Sequence, residues 1–421
     1  MARPGSACRC DRREQGSGGR RVDACGCGHP APPGVERRSE TPAGVSNGME
    51  YDRPQFARLS RYAVEADRDV VDTVSGNPDW EPPAALREGL HSYADGDPEQ
   101  FQYPPSEGLD ALRAEIATRR NVSRDRVLVT NGAGEANHLA LAAALTANDG
   151  TEVLCTDPTY PYYPAKVELL GGDPRLVPTA RDGALDLDAF RAAAGPETAV
   201  IVLNTPNNPT GAVYPIETVR AVAALAAEVG ATLLVDEVYQ QFDFTGTFES
   251  ALTLDHEVAV TTAFSKSMAI TGFRVGYAVL PEPLLSHART RHMLVNVTGS
   301  RPAQAAVLAA LRETEPGYYA HNRELLRDRV ATFTDALDDI GAEYTTPEGG
   351  FYVLARFDGL PGTTANAERM IDEAGVAAMP GATFGDARSE WFRFALVTPR
   401  VEAAADRIAG WVPDTTTRPE R

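Results

Sequence analysis

Lysine is almost absent from this chain of 421 residues: Lys166 and Lys266 are the only two, so 38 of its 40 basic residues are arginine. A primary amine that survives such a bias invites a chemical explanation. A guanidinium stays protonated and cannot form an imine, whereas a lysine of lowered pKa can. Lys266 stands in Ala263-Phe264-Ser265-Lys266-Ser267, just after the apolar run Val258-Ala259-Val260, while Lys166 lies in a helix-like stretch after Tyr162-Tyr163-Pro164 and reads as a surface residue. Asp236 closes another apolar run, Thr232-Leu233-Leu234-Val235, and a buried carboxylate without a partner is costly. A helix cap, a salt bridge or the protonated nitrogen of a bound ring would each supply one. Gly132-Ala133-Gly134 opens a helical stretch near Glu135, where backbone N–H groups can hold an anion. Arg393, within Trp391-Phe392-Arg393-Phe394-Ala395, asks for an anionic partner, either a substrate or a structural carboxylate.

These residues must be positioned by a regular scaffold, and the chain alternates strand-like and helical stretches. Strands are expected at Arg126–Thr130, Val153–Cys155, Ala199–Leu203, Thr232–Val235, Val258–Val260 and Val275–Val279, with helices over Gly108–Arg120 and about 134–147. Such alternation predicts an α/β fold with a largely parallel sheet. Ligands of open α/β sheets gather at the carboxyl ends of the strands. The polar groups follow the apolar runs there: Asn131–Gly134, Asp157–Tyr160, Asn204–Gly211, Asp236–Tyr239 and Thr262–Lys266.

Asn207-Asn208-Pro209-Thr210-Gly211, Asp236-Glu237-Val238-Tyr239, Ser265-Lys266 and Gly272-Phe273-Arg274-Val275-Gly276 follow one another in this order. Over about Ser75 to Arg393 the chain resembles the class I/II aminotransferases, fold-type-I enzymes dependent on pyridoxal 5'-phosphate (PLP). The resemblance implies a large domain with a mostly parallel seven-stranded sheet and a smaller α+β domain from both chain ends. On this division 49–85 form an N-terminal arm and part of the small domain, 86–305 the PLP-binding domain, 306–412 the rest of the small domain and 413–421 a frayed tail.

The same resemblance implies roles. Lys266 would hold the cofactor as a Schiff base and then shuttle a proton at the substrate Cα. Asp236 would pair with the pyridine nitrogen, and Asn208 and Tyr239 would hydrogen-bond the phenolic oxygen. Tyr160 matches the aromatic that stacks on the ring. Gly132, Ala133, Gly134, Ser265 and Arg274 match the phosphate site, and Tyr103 matches a tyrosine reaching the neighbouring subunit's phosphate, which implies a homodimer with shared sites. Arg393 matches the arginine that grips the substrate α-carboxylate, with Gly76 and Asn208 beside it, and Gly349-Gly350-Phe351-Tyr352 resembles a stretch next to the substrate. No metal is implied. One departure stands out: the family usually has S-x-S-K, and Ala263 replaces its first serine. A neutral hydrogen bond worth about 1 kcal/mol is thereby absent.

Composition bounds the rest. The net charge of −19 opposes nucleic-acid binding, which relies on cations that displace counterions. No apolar run is long enough to span a bilayer. An acidic, lysine-poor surface resembles proteins of very salty cells, and a GC-rich genome would also favour arginine codons. Residues 1–48 carry a net +3 and residues 49–421 a net −22, and the first segment holds 9 Gly, 5 Pro and four of the five cysteines. It reads as a disordered extension, with Met49 as an alternative start. Cys8, Cys10, Cys25 and Cys27 lack the usual zinc spacing, and Cys155 alone in the body suits a reducing cytoplasm.

The expected activity is therefore transamination between an L-amino acid and a 2-oxo acid. A β-lyase or decarboxylase of the same fold is the alternative, although the related β-lyases usually carry His at the position of Tyr239. A ligand-sensing transcription regulator would need a DNA-binding domain that residues 1–48 are too few to supply. A dicarboxylate substrate would need a second cation, for which Arg301 and Arg291 are the candidates.

Overall fold

The computed structural model describes residues 55–416, so the expectations for residues 1–48 lie outside the described residues. Seven strands, β1 (Val127–Thr130), β2 (Glu152–Asp157), β3 (Asp173–Pro178), β4 (Thr198–Asn204), β5 (Thr232–Asp236), β6 (Val258–Ala263) and β7 (Gly276–Val279), form one sheet in the order β1-β7-β6-β5-β4-β2-β3. Every residue of β1, β4, β6 and β7 is buried, which explains their uninterrupted apolar character: helices cover both faces of such a sheet. From β6 to β3 all pairings are parallel, whereas β7 runs antiparallel to β1 and β6. The expected α/β class and mostly parallel sheet are thus present. The edge strand β3 has no counterpart among the strands expected from sequence. It contains Pro174 and Pro178 and buries little, and proline is confined to strand edges because it lacks an N–H for the ladder.

Five helices bear on the site: α1 (Gln55–Glu65), α2 (Ala133–Ala147), α3 (Tyr162–Leu169), α4 (Phe264–Ser267) and α5 (Glu282–Asn296). Helix α2 is apolar nearly all round, with Ala136, Leu139, Ala140, Leu141 and Ala143 buried, because it lies between the sheet and α5. A second apolar core joins the two ends of the described chain. Leu59, Val71 and Val74 pack there with Val330, Phe333, Phe392, Phe394 and Ile408. This core lies on an antiparallel sheet of β8 (Glu343–Tyr344), β9 (Tyr352–Arg356), β10 (Met379–Pro380) and β11 (Trp391–Ala395), ordered β10-β11-β9-β8. The last helix, α6 (Val401–Thr416), continues past Pro413 where a frayed tail was expected, because its buried face persists through Trp411 and Val412. No helix among the described residues is long and apolar enough to cross a membrane.

Candidate active site

The carboxyl ends of the parallel strands converge on one cavity of about 650 Å³. Lys266 enters it from α4 directly after β6, Asp236 ends β5, Asn208 follows β4, and Tyr160 follows β2. Strand β7 runs the other way, so its amino end brings Arg274 to the same rim: Gly276 pairs with both Thr130 and Ala263. Gly76, Ala133, Gly134, Tyr239, Ser265 and Arg393 complete the set of expected residues that line it. Tyr103 is 82% exposed and lies outside the cavity of its own chain.

Lys266 is enclosed. Its Nζ donates to the Gly76 carbonyl at 2.7 Å, and burial, with Arg393 and Arg274 adding to it, lowers its pKa to about 8. The close approach explains the glycine: a Cβ at Gly76 would stand 2.7 Å from the Tyr352 hydroxyl and 3.4 Å from the Lys266 amine. A lysine so placed reaches its neutral, nucleophilic form from about pH 8, well below the range of a free lysine.

Asp236 has no cation within ion-pair distance among the described residues. Asn137 Nδ2 donates to its Oδ2 at 2.7 Å, the Tyr163 hydroxyl donates to the same oxygen at 2.8 Å, and the Val238 N–H donates to Oδ1 at 3.0 Å. Burial raises its pKa, and these three donors oppose that rise. Asn137 and Tyr163 were not anticipated from sequence. Each is a polar residue on the buried face of a helix, the one available signal. Across the cavity, the Tyr239 and Tyr352 hydroxyls are 3.0 Å apart, and Tyr160 packs against Tyr162 and Tyr163.

The turn before α2 is shaped for an anion. Gly132 adopts φ 77° and lets Ala133 and Gly134 present the first N–H groups of the helix. Arg274 lies alongside, held by the Thr271 carbonyl at 2.9 Å and the Asn131 carbonyl at 3.2 Å. A Cβ on Gly132 would meet the Arg274 guanidinium at 2.6 Å. Gly132→Ala is therefore expected to weaken anion binding at this turn about tenfold or more, since φ 77° with ψ 173° is backbone essentially confined to glycine and the added methyl must displace the guanidinium beside it. Equilibrium titration with inorganic phosphate checks this. Ser265 lines the cavity while Ala263, also on its wall, offers no hydroxyl.

Arg393 lies on β11 between Leu354 of β9 and Met379 of β10. It is 1% exposed yet has no carboxylate within ion-pair distance among the described residues. Its Nη2 donates to the Val74 carbonyl, its Nη1 lies 3.5 Å from Asn208 Oδ1, and its Nε has no partner. The rings of Tyr352, Phe56 and Phe384 surround it at 4.5, 5.2 and 5.3 Å. A buried guanidinium left so incompletely paired is a receptor for an anion.

Three expectations need correction. Lys166 is no surface residue: it is half-buried on the wall of this cavity, because α3 begins at its rim and turns that face inward. Arg301 is engaged by the Glu99 and Gln102 carbonyls, and Arg291 lines a separate surface cavity on α5. Neither arginine reaches the lysine cavity of its own chain. Phe56 was also unforeseen, since nothing local in α1 marks it as part of a site some 200 residues away in sequence.

A family model described as aminotransferase class I and II matches residues 68–408. The chain is similar to a probable aspartate/prephenate aminotransferase of Thermus aquaticus, 33% identical over 87% of this chain and 98% of that one. It is also similar to a probable N-succinyldiaminopimelate aminotransferase of Mycobacterium tuberculosis, 32% identical over 81% and 88% of the two chains. Among solved structures, aspartate aminotransferase from Thermus thermophilus with maleate superposes with a TM-score of 0.79 at 29% identity, covering 85% of this chain and 97% of that one.

Proposed function

The chain belongs to the class I and II aminotransferase family and is an aminotransferase, and from that premise we propose that it uses pyridoxal 5'-phosphate held at Lys266 to move an amino group from an L-amino acid to a 2-oxo acid. One observation carries this reading. A single cavity holds an enclosed amine, a buried carboxylate with no cation within ion-pair distance and a buried guanidinium with no carboxylate within ion-pair distance, among the described residues. Each is unfavourable alone, and each is complementary to one part of a cofactor–substrate pair.

The residues present fit that cofactor. The N–H groups of Ala133 and Gly134, with Ser265 and Arg274, would hold its phosphate. Asp236 would face its ring nitrogen, oriented by Asn137 and Tyr163, and Tyr160 would cover a ring face. Asn208 and Tyr239 would meet its phenolic oxygen. When bound, PLP supplies an electrophilic carbon and a ring that accepts the electron pair released at the substrate Cα. Arg393 grips the α-carboxylate and so fixes the Cα–H bond in reach of Lys266, whose Nζ takes the proton and returns it. The cavity wall of Tyr160, Tyr352 and Phe56 limits water around that amine.

The exposed Tyr103 suits a homodimer in which it completes the partner's phosphate site, and Cys155, buried and the single cysteine among the described residues, suits a reducing cytoplasm. The lowered pKa of Lys266 gives a pH signature. The neutral amine is the reactive form, so the rate of PLP uptake by cofactor-free protein should rise about tenfold per pH unit below pH 8 and level above it, following the value of about 8. Stopped-flow absorbance checks this. The function itself is tested by a panel of amino donors with 2-oxoglutarate as acceptor. Stoichiometric 2-oxo acid and glutamate support transamination, and ammonia release without an acceptor overturns it.

A further inference from the structure

Resting on that reading of the site, we propose that Lys166 receives a second anionic group of the substrate, so that amino acids with a side-chain carboxylate are favoured over apolar ones. The cavity wall carries four cations: Lys166, Lys266, Arg274 and Arg393. The last three have roles at the reacting amine, the phosphate and the α-carboxylate. Lys166 has none, and no carboxylate lies within ion-pair distance of it among the described residues. Its Nζ instead sits 5.2 Å from the centre of the Tyr162 ring. A half-buried ammonium with such weak compensation gains when an anion arrives.

The cavity wall beside it has room. A Cβ at Gly134, in the first turn of α2 and on the same cavity wall as Lys166, would touch nothing within 4 Å. His138, one turn further along α2, is flanked by the charges of Arg291 and Lys166. The carboxylate on this stretch of α2, Glu135, is already taken by Asn131 and His292 at 2.9 and 2.7 Å. Between the two free cations runs an aromatic wall: Phe56 lies 5.2 Å from the Arg393 guanidinium and 6.2 Å from the Tyr162 ring, on which Lys166 rests. A cation at each end and an apolar surface between them match a short carbon chain bearing two carboxylates. The survival of lysine here, in a chain where 38 of 40 basic residues are arginine, fits an ammonium kept for a specific contact.

Lys166 also lies near enough to favour the ionised form of Asp236, and a role confined to Asp236 would affect every donor alike. Lys166→Met in the PLP-loaded enzyme separates the two. The ratio of kcat/KM for aspartate and glutamate to that for leucine and phenylalanine is expected to fall roughly 30-fold or more. The dissociation constant of maleate should rise by a similar factor relative to that of crotonate, which lacks the second carboxylate. Lys166→Arg, which keeps the charge, should retain a preference for dicarboxylates. Equal losses for both donor classes, an unchanged ratio, or a wild-type enzyme indifferent to a second carboxylate would each overturn the proposal. Wild-type protein that transaminates no donor would instead overturn the assigned function.

Discussion

Lys266→Ala is expected to lower kcat by at least ~10⁴-fold, because in the proposed mechanism it removes both the attachment point of the cofactor and the base that moves the Cα proton. The near-visible absorption that PLP gains on linkage to a lysine should vanish with it. Folding should survive. Among the described residues the side chain makes one hydrogen bond, to the Gly76 carbonyl, and its loss costs about 1 kcal/mol, partly offset by removing a group whose charge is disfavoured by burial. Coincident thermal unfolding of the two proteins would separate a chemical defect from a folding one. Retention of more than a few per cent of wild-type activity would remove Lys266 from its assigned role.

Arg393→Leu should lower kcat/KM for every α-amino acid by about 10²–10⁴-fold, the consequence of removing one partner of a buried, hydrogen-bonded ion pair, worth about 3–5 kcal/mol. The effect should fall on binding and on rate together, since in the proposed mechanism the guanidinium both holds the carboxylate and orients the Cα–H bond. Cofactor absorption should be retained, because Arg393 touches Val74 and Asn208 and not the phosphate turn. An amine lacking the carboxylate should be indifferent to the substitution. The protein itself should be no less stable: leucine replaces a buried cation whose Nε is unpartnered, and an apolar residue at such a position is often neutral or stabilising.

Much of this site was legible because its residues end apolar runs. Asp236 and Lys266 could be placed at strand ends from Thr232–Val235 and Val258–Val260 alone, and the sheet puts both ends on one side by parallel pairing. Arg274 could not be placed that way. It precedes a strand, and it reaches the phosphate turn because β7 is antiparallel to its neighbours, a matter of topology that periodicity does not encode. Lys166 illustrates a different limit. Helix α3 is short and buries only Tyr163 and Val167, so its sequence does not reveal which way an intermediate position faces. Asn137 and Tyr163 acquire meaning only from Asp236, which lies 99 and 73 residues away. The proline-bearing edge strand β3 was hidden by the same physics that keeps proline out of sheet centres.

The two lysines make the central claim open to one direct measurement. The PLP-loaded protein is treated with borohydride, which reduces the carbon–nitrogen bond to a stable amine, and is then digested and mapped by mass spectrometry. Attachment at Lys266 predicts the cofactor-derived mass on the peptide containing Ser265-Lys266-Ser267 and on no other lysine. The same mass on Lys166, or no labelled lysine in protein that carries bound PLP, would contradict it.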